Sequence, residues 1–163
     1  MVNKPINTIM VYIDGTEPSI VAAVYAICLA SYTGAKLIVH YVINTKAMED
    51  LLRASIFLED EQVEYEHDMS ADADKYLNYI DELAIKKGIS IVQKRSSGSV
   101  HTEIENAVKE NDVDLLVVGE LPRMRSRRDE FFDETERAMR TLCCSVLIVK
   151  NEDKVWQVYE SLV

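Results

Sequence analysis

The stretch DVDLLVVGELPRMRSRRDEFFDETERAMRTLCCSVLIVK, residues 112–150, decides how this chain folds. Residues 115–118 form a continuous apolar run closed by Gly119, the pattern of a strand covered on both faces. Residues 134–140 are the best-defined part of a helix, and residues 146–149 form a second apolar strand. Strand, glycine, loop, helix and strand in that order make a βαβ unit.

Upstream, the same alternation repeats. Residues 7–13 are a β-type stretch ended by Asp14-Gly15. Thr16, Glu17 and Pro18 then read as a helix start: a capping hydroxyl, an acid near the positive helix end and a proline in the first turn. Val21, Val24, Tyr25, Cys28, Leu29 and Tyr32 recur at helical spacing, and Gly34 can end that helix. Residues 36–42 form the second strand, and 47–58 a weaker helical stretch. The acidic segment 59–68 reads as a solvated loop or helix face. Residues 71–87 form a helix with Tyr76, Ile80, Leu83 and Ala84 on one stripe and Gly88 as its stop. A third strand is expected at 89–94. Gly98-Ser99 is a turn that can cap a further helix, on which Ile104, Ala107 and Val108 face inward. The tail from Lys154 carries Val155, Trp156, Val158, Tyr159 and Leu162, an apolar set suited to packing on its own domain or on a partner.

Five strands alternating with helices imply a parallel sheet with right-handed crossovers and helices on both faces. Ligands in such sheets bind outside the carboxyl ends of the strands, at the topological switch point. Here those ends carry Asp14-Gly15, Tyr41-Val42, residues 96–98 and Gly119 onward.

Composition bounds the rest. A chain of 163 residues suits one domain. The net charge of -10 opposes binding to nucleic acid or to an anionic membrane surface. No apolar run approaches the roughly 20 residues of a membrane span. The first apolar run, 9–13, is short and ends in Asp14, so the N-terminus does not read as a signal peptide and the expected compartment is the cytoplasm. The three cysteines (Cys28, Cys143, Cys144) and three histidines (His40, His67, His101) show no metal-ligand spacing, and no metal is expected. The strings GxxxxGK[ST], GxSxG, HxGH and SGGxDS are missing from the sequence, and no nucleophile with a paired base is evident. A single acid after strand one, not an acidic pair, argues against a phospho-accepting receiver domain.

The order and spacing of several blocks resemble the universal stress protein family across residues 6–150. The carrying residues are 13–17 after strand one, 35–40 in strand two, 98–104, 114–119 and 144–149. The resemblance implies a Rossmann-like α/β fold of the adenine nucleotide alpha hydrolase type. It would have a five-stranded parallel sheet of order 3-2-1-4-5 and homodimers paired through the edge of strand five. It divides the chain into a domain at 1–150 and a C-terminal tail at 151–163.

Nucleotide-binding members carry a glycine, two residues, a second glycine, nine residues, then glycine and a serine or threonine. Glycines let backbone N–H groups approach phosphate oxygens. On this chain the first glycine is Gly119, while Pro122, Phe132 and Asp133 take the remaining places. Proline removes a donor, phenylalanine adds bulk and aspartate adds negative charge. Against that, Asp14 matches the acid that contacts adenosine, the alternative being that it only caps the first turn. Arg123, Arg125, Arg127 and Arg128 could hold an anion by charge-assisted hydrogen bonds, the alternative being a solvated basic loop. Tyr41 replaces a small aliphatic residue beside the adenine pocket. His40 matches a family histidine and reads as structural. Ser145 stands where the family often has a proline after a cysteine.

The resemblance thus implies a non-enzymatic stress-response protein that acts as a homodimer, has no usual ATP cofactor and uses neither nucleic acid nor membrane. The alternative is a regulator that binds ATP or AMP through Asp14 and the arginine loop 123–128. The residues placed at any ligand are Asp14, Gly15, Tyr41, Gly98, Gly119, Arg123 and Asp133, with no catalytic residue.

Overall fold

The computed structural model of the chain describes residues 3–54, 59–121 and 134–163. Its elements are β1 (Thr8–Ile13), α1 (Glu17–Thr33), β2 (Lys36–Asn44), α2 (Thr45–Arg53), α3 (Glu59–Ile85) and β3 (Ile91–Gly98). They continue with α4 (Val100–Glu110), β4 (Leu115–Gly119), α5 (Glu134–Thr141), β5 (Ser145–Val149) and α6 (Glu152–Ser161). The strands form one all-parallel sheet in the order β3-β2-β1-β4-β5.

Alternation along each strand sorts the core into two layers. Ile9, Val11, Ile13, Leu37, Val39, Leu115 and Val117 face α1, α3 and α6. Met10, Tyr12, Ile38, Val42, Leu116 and Val118 face α4 and α5. Strands buried on both faces have the continuous apolar runs read from the sequence.

α1 is the central helix of the first layer, with Val21, Ala22, Ala23, Val24, Ala26, Ile27 and Cys28 all buried. Small residues let it lie close to the sheet. Gly34 ends it at φ 72. Thr16 occupies the N-cap position, but its hydroxyl does not cap the helix: Thr16 Oγ1 donates to Asp14 Oδ1 at 2.5 Å. Ser19 Oγ closes the turn by accepting from Asp14 N and donating to Thr16 O.

Several boundaries differ from the sequence expectations, among them the helical stretch expected at 47–58, which is α2 at Thr45–Arg53. β2 continues to Asn44, because its last residues, Tyr41 to Asn44, pair with Arg95 to Gly98. β3 therefore runs from Ile91 to Gly98 and not over 89–94. The polar residues Arg95, Ser96 and Ser97, beyond the expected end of this strand, are ladder residues in the sheet. The helix expected from residue 71 begins at Glu59 and runs 27 residues. No Gly or Pro interrupts it, and the acids of segment 59–68 lie at its positive end. That segment is a helix face: Asp60, Glu61, Val63, Glu64, Glu66, His67 and Asp68 are exposed.

α6 packs on the first layer. Val155 and Tyr159 are buried, Tyr159 Oη donates to Leu83 O at 2.7 Å, and Lys87 Nζ donates to Leu162 O at 2.9 Å. Asn151 caps its start by accepting from Lys154 N.

Candidate functional site at the ends of strands one and four

The switch point of a 3-2-1-4-5 sheet lies between β1 and β4, because the chain leaves these strands in opposite directions. A cleft of about 360 Å³ opens there. Tyr12, Asp14, Thr16, Ser19, Gly119 and Glu120 contribute to its lining, and Thr135 reaches it from α5. Among the described lining residues the charged groups are the two acids, Asp14 and Glu120.

Asp14 is exposed at the end of β1. Its Oδ1 accepts from Thr16 N at 3.0 Å and from Thr16 Oγ1. Asp14 therefore organises the turn into α1 and also presents its carboxylate to the cleft.

Gly119 ends β4 against the first turn of α1. A Cβ there would lie 2.5 Å from Pro18 O, 2.6 Å from Pro18 C and 2.9 Å from Ser19 N. All three are backbone atoms, so the glycine is required by close approach of α1 to β4.

Gly15 has φ 84, and a Cβ on it would lie 2.7 Å from Tyr76 Cε2. Tyr76 comes from α3 and stacks on Tyr41 with ring centroids 6.4 Å apart and planes 6° from parallel. Tyr41 is almost fully buried at the end of β2. Burial pushes its hydroxyl up to about 12, with Asp72, Asp14, Tyr76 and Tyr65 adding to the shift. Neither Gly15 nor Tyr41 lines the cleft, which ends at Asp14 on that side.

Gly98 ends β3 with φ 144, packed against the side chain of Glu103. It too lies away from the cleft lining. Arg123 and Asp133 lie outside the described residues, as do Pro122, Phe132 and the other loop arginines.

The start of α4 holds a cluster that sequence reading did not single out. Glu134 Oε2 accepts from Ser99 Oγ at 3.2 Å, from His101 N at 3.3 Å and from the His101 ring at Nδ1. Burial pushes the Glu134 carboxyl up, but the bonds from His101 and Ser99 outweigh it and hold it below the usual range. A carboxylate thus sits on the positive end of α4 and ties α5 to it. Ser, His and Glu side chains meet here, yet Ser99 and Glu134 both address the same ring nitrogen, Nδ1. A relay needs the acid on one nitrogen and the nucleophile on the other. The cluster is a structural tie. Sequence signals could not find it, because the partners are separated by more than 30 residues.

His40 is fully buried, with Nε2 at 2.7 Å from Ser96 Oγ. Burial, and then the charge of Lys94, lower its pKa to about 4, so it is neutral at physiological pH. Cys28 is buried, Cys143 exposed and Cys144 half-buried, all as free thiols. Burial raises the Cys144 pKa, opposing thiolate formation. No group of three metal-ligating side chains converges among the described residues.

Comparison with known proteins agrees with this architecture. The family described as "Universal stress protein family" matches residues 5–150. The solved universal stress protein UspA from Lactobacillus plantarum is 18% identical, with 91% of this chain and 100% of that chain covered and a TM-score of 0.72. A universal stress protein family structure from Burkholderia pseudomallei is 19% identical, covers 92% of this chain and 100% of its own, and has a TM-score of 0.67. A universal stress protein solved in complex with cAMP is 21% identical, covers 88% and 96%, and has a TM-score of 0.65. No curated protein sequence matches this chain significantly.

Proposed function

The chain belongs to the universal stress protein family, and on that premise we propose that it is a non-enzymatic, homodimeric, cytoplasmic member. It acts through protein contacts in a stress response and does not hold ATP in the usual way. The observation that carries this reading is the internal use of the residues a nucleotide would need. Gly15 accommodates Tyr76, Gly98 accommodates Glu103, and Gly119 accommodates the backbone of Pro18 and Ser19. Asp14 accepts two bonds from Thr16. The described lining of the cleft carries a second carboxylate, Glu120, beside Asp14, and the pair repels phosphate. In sequence, Pro122, Phe132 and Asp133 stand where phosphate-binding relatives have glycines and a hydroxyl.

The homodimer reading rests on β5. It is an edge strand with a neighbour on one side only, and Ile148 on it is 37% exposed. Such an edge can pair with a second copy. The cytoplasmic reading is supported by the negative charge and by the described helices, none of which is long and apolar enough to cross a membrane.

A second reading is an adenine-nucleotide-responsive regulator using Asp14 and the arginines at 123–128. The cAMP complex of a similar protein favours it. Native mass spectrometry of the purified chain, with and without ATP and Mg²⁺, separates the two. A dimer without adduct supports the first reading. A mass increment equal to one nucleotide per subunit supports the second, and a monomer at micromolar concentration removes the dimer.

A further inference from the structure

α5 ends at Thr141 and β5 begins at Ser145, so Leu142, Cys143 and Cys144 make the whole connection. Leu142 N donates to Ala138 O at 3.1 Å, which fixes the start of the connection on the last turn of α5. The chain then bends at both cysteines. Cys144 packs half-buried against the second core layer, as do Leu142 and Val146 on either side, while Cys143 is exposed. Burial, and then the neighbouring Cys143, raise the Cys144 pKa, so it stays protonated at neutral pH. The two thiols are thus chemically unequal: one open to solution, the other sheltered beside it.

We propose that Cys143 and Cys144 form a redox modification site that takes a hydroperoxide as oxidant and closes a disulfide between adjacent residues. The Cys143 thiolate attacks the peroxide: an S–O bond forms, the O–O bond breaks, and the alcohol or water leaves with the Cys143 proton. Cys143 is then a sulfenic acid. The Cys144 sulfur attacks it: the S–S bond forms, the S–O bond breaks, and water leaves with the Cys144 proton. Two thiols are oxidised and one peroxide is reduced. Consecutive Cα atoms are about 3.8 Å apart, below the roughly 4.4–6.8 Å of ordinary disulfides. The ring is therefore strained and readily reopened by an external dithiol, which suits a reversible site and not a permanent cross-link. Closing it also draws the Cys144 sulfur toward Cys143 and off the second layer. The next residue, Ser145, pairs with Leu115 at the start of β5, so oxidation loosens the attachment of that edge strand.

The test is mass spectrometry of the full chain after treatment with hydrogen peroxide, with free thiols counted in denaturant. The native chain should lose two hydrogens and two of its three thiols, and a dithiol reductant should restore both. Cys28→Ser should still close the ring. Cys144→Ser should stop at a sulfenic acid on Cys143 that dimedone traps; if that variant does not fold, Cys144→Ala makes the same comparison. Cys143→Ser should react at least about tenfold more slowly than the native chain, because the sheltered thiol is little ionised. Oxidation that links two chains through Cys143, or that adds oxygen without loss of two hydrogens, overturns the proposal. The ring-closed chain should melt below the reduced one, and an unchanged melting temperature would overturn the coupling to β5.

Discussion

Tyr76 lies so close to Gly15 that a methyl group on the glycine would sit 2.7 Å from Cε2 of the ring. The contact joins the β1–α1 turn to α3, two parts of the chain that share no local sequence signal. Gly15→Ala would meet this ring and would also strain a backbone at φ 84. The expected loss is about 2 kcal/mol, from the left-handed backbone and the overlap together. In a double-mutant cycle, Tyr76→Ala should restore part of that loss, since it removes the overlap but not the strain. Urea unfolding of the four proteins measures the coupling; strict additivity would show that the ring does not confine Gly15.

Gly119→Ala should be worse tolerated. The added methyl meets backbone atoms of Pro18 and Ser19, which cannot rotate away as a side-chain end can. Relief requires the first turn of α1 to move off β4, with an expected cost of about 3 kcal/mol. A fall in the urea midpoint with an unchanged slope would be the signature. A neutral substitution would mean that α1 is not held against β4 as described.

His40 makes stability depend on pH. Its folded pKa is lowered to about 4, below the ordinary value of about 6.5, so the unfolded chain binds the proton first. The stability contributed by keeping His40 neutral is present above about pH 6.5 and falls as pH drops toward about 4, by on the order of 3 kcal/mol. The measurement is the NMR titration of the His40 ring protons, which should show no step near pH 6.5. Ser96→Ala removes the partner of Nε2 and should cost about 1 kcal/mol.

Glu134 contributes with the sign of a lowered carboxylate. Its folded pKa lies below that of the free side chain, so its stabilising effect is present at neutral pH and lost as pH falls through the folded pKa. Glu134→Gln should lower the melting temperature at pH 7, and the gap from the native chain should close as pH falls through the lowered folded pKa of Glu134. A gap that stays constant with pH would mean that the charge on Glu134 is not what ties α5 to α4.

The sequence by itself determined the architecture. Apolar runs such as Leu115 to Val118 specify strands buried on both faces, and Gly34 and Gly88 stop helices in the left-handed conformation. These signals are local, because period and backbone freedom are properties of a few adjacent residues. Boundaries failed where tertiary pairing recruited polar residues, as when Arg95 to Gly98 joined the ladder opposite Tyr41 to Asn44. The candidate site was legible only as a position: the crevice at Asp14 and Gly119. What those residues do was decided by the tertiary structure. A glycine in sequence states that space is needed, not what fills it. Here Tyr76, Pro18 and Glu103 fill it. Pro18 and Tyr76 reach Gly119 and Gly15 only because the sheet brings α1 and α3 to the ends of β4 and β1.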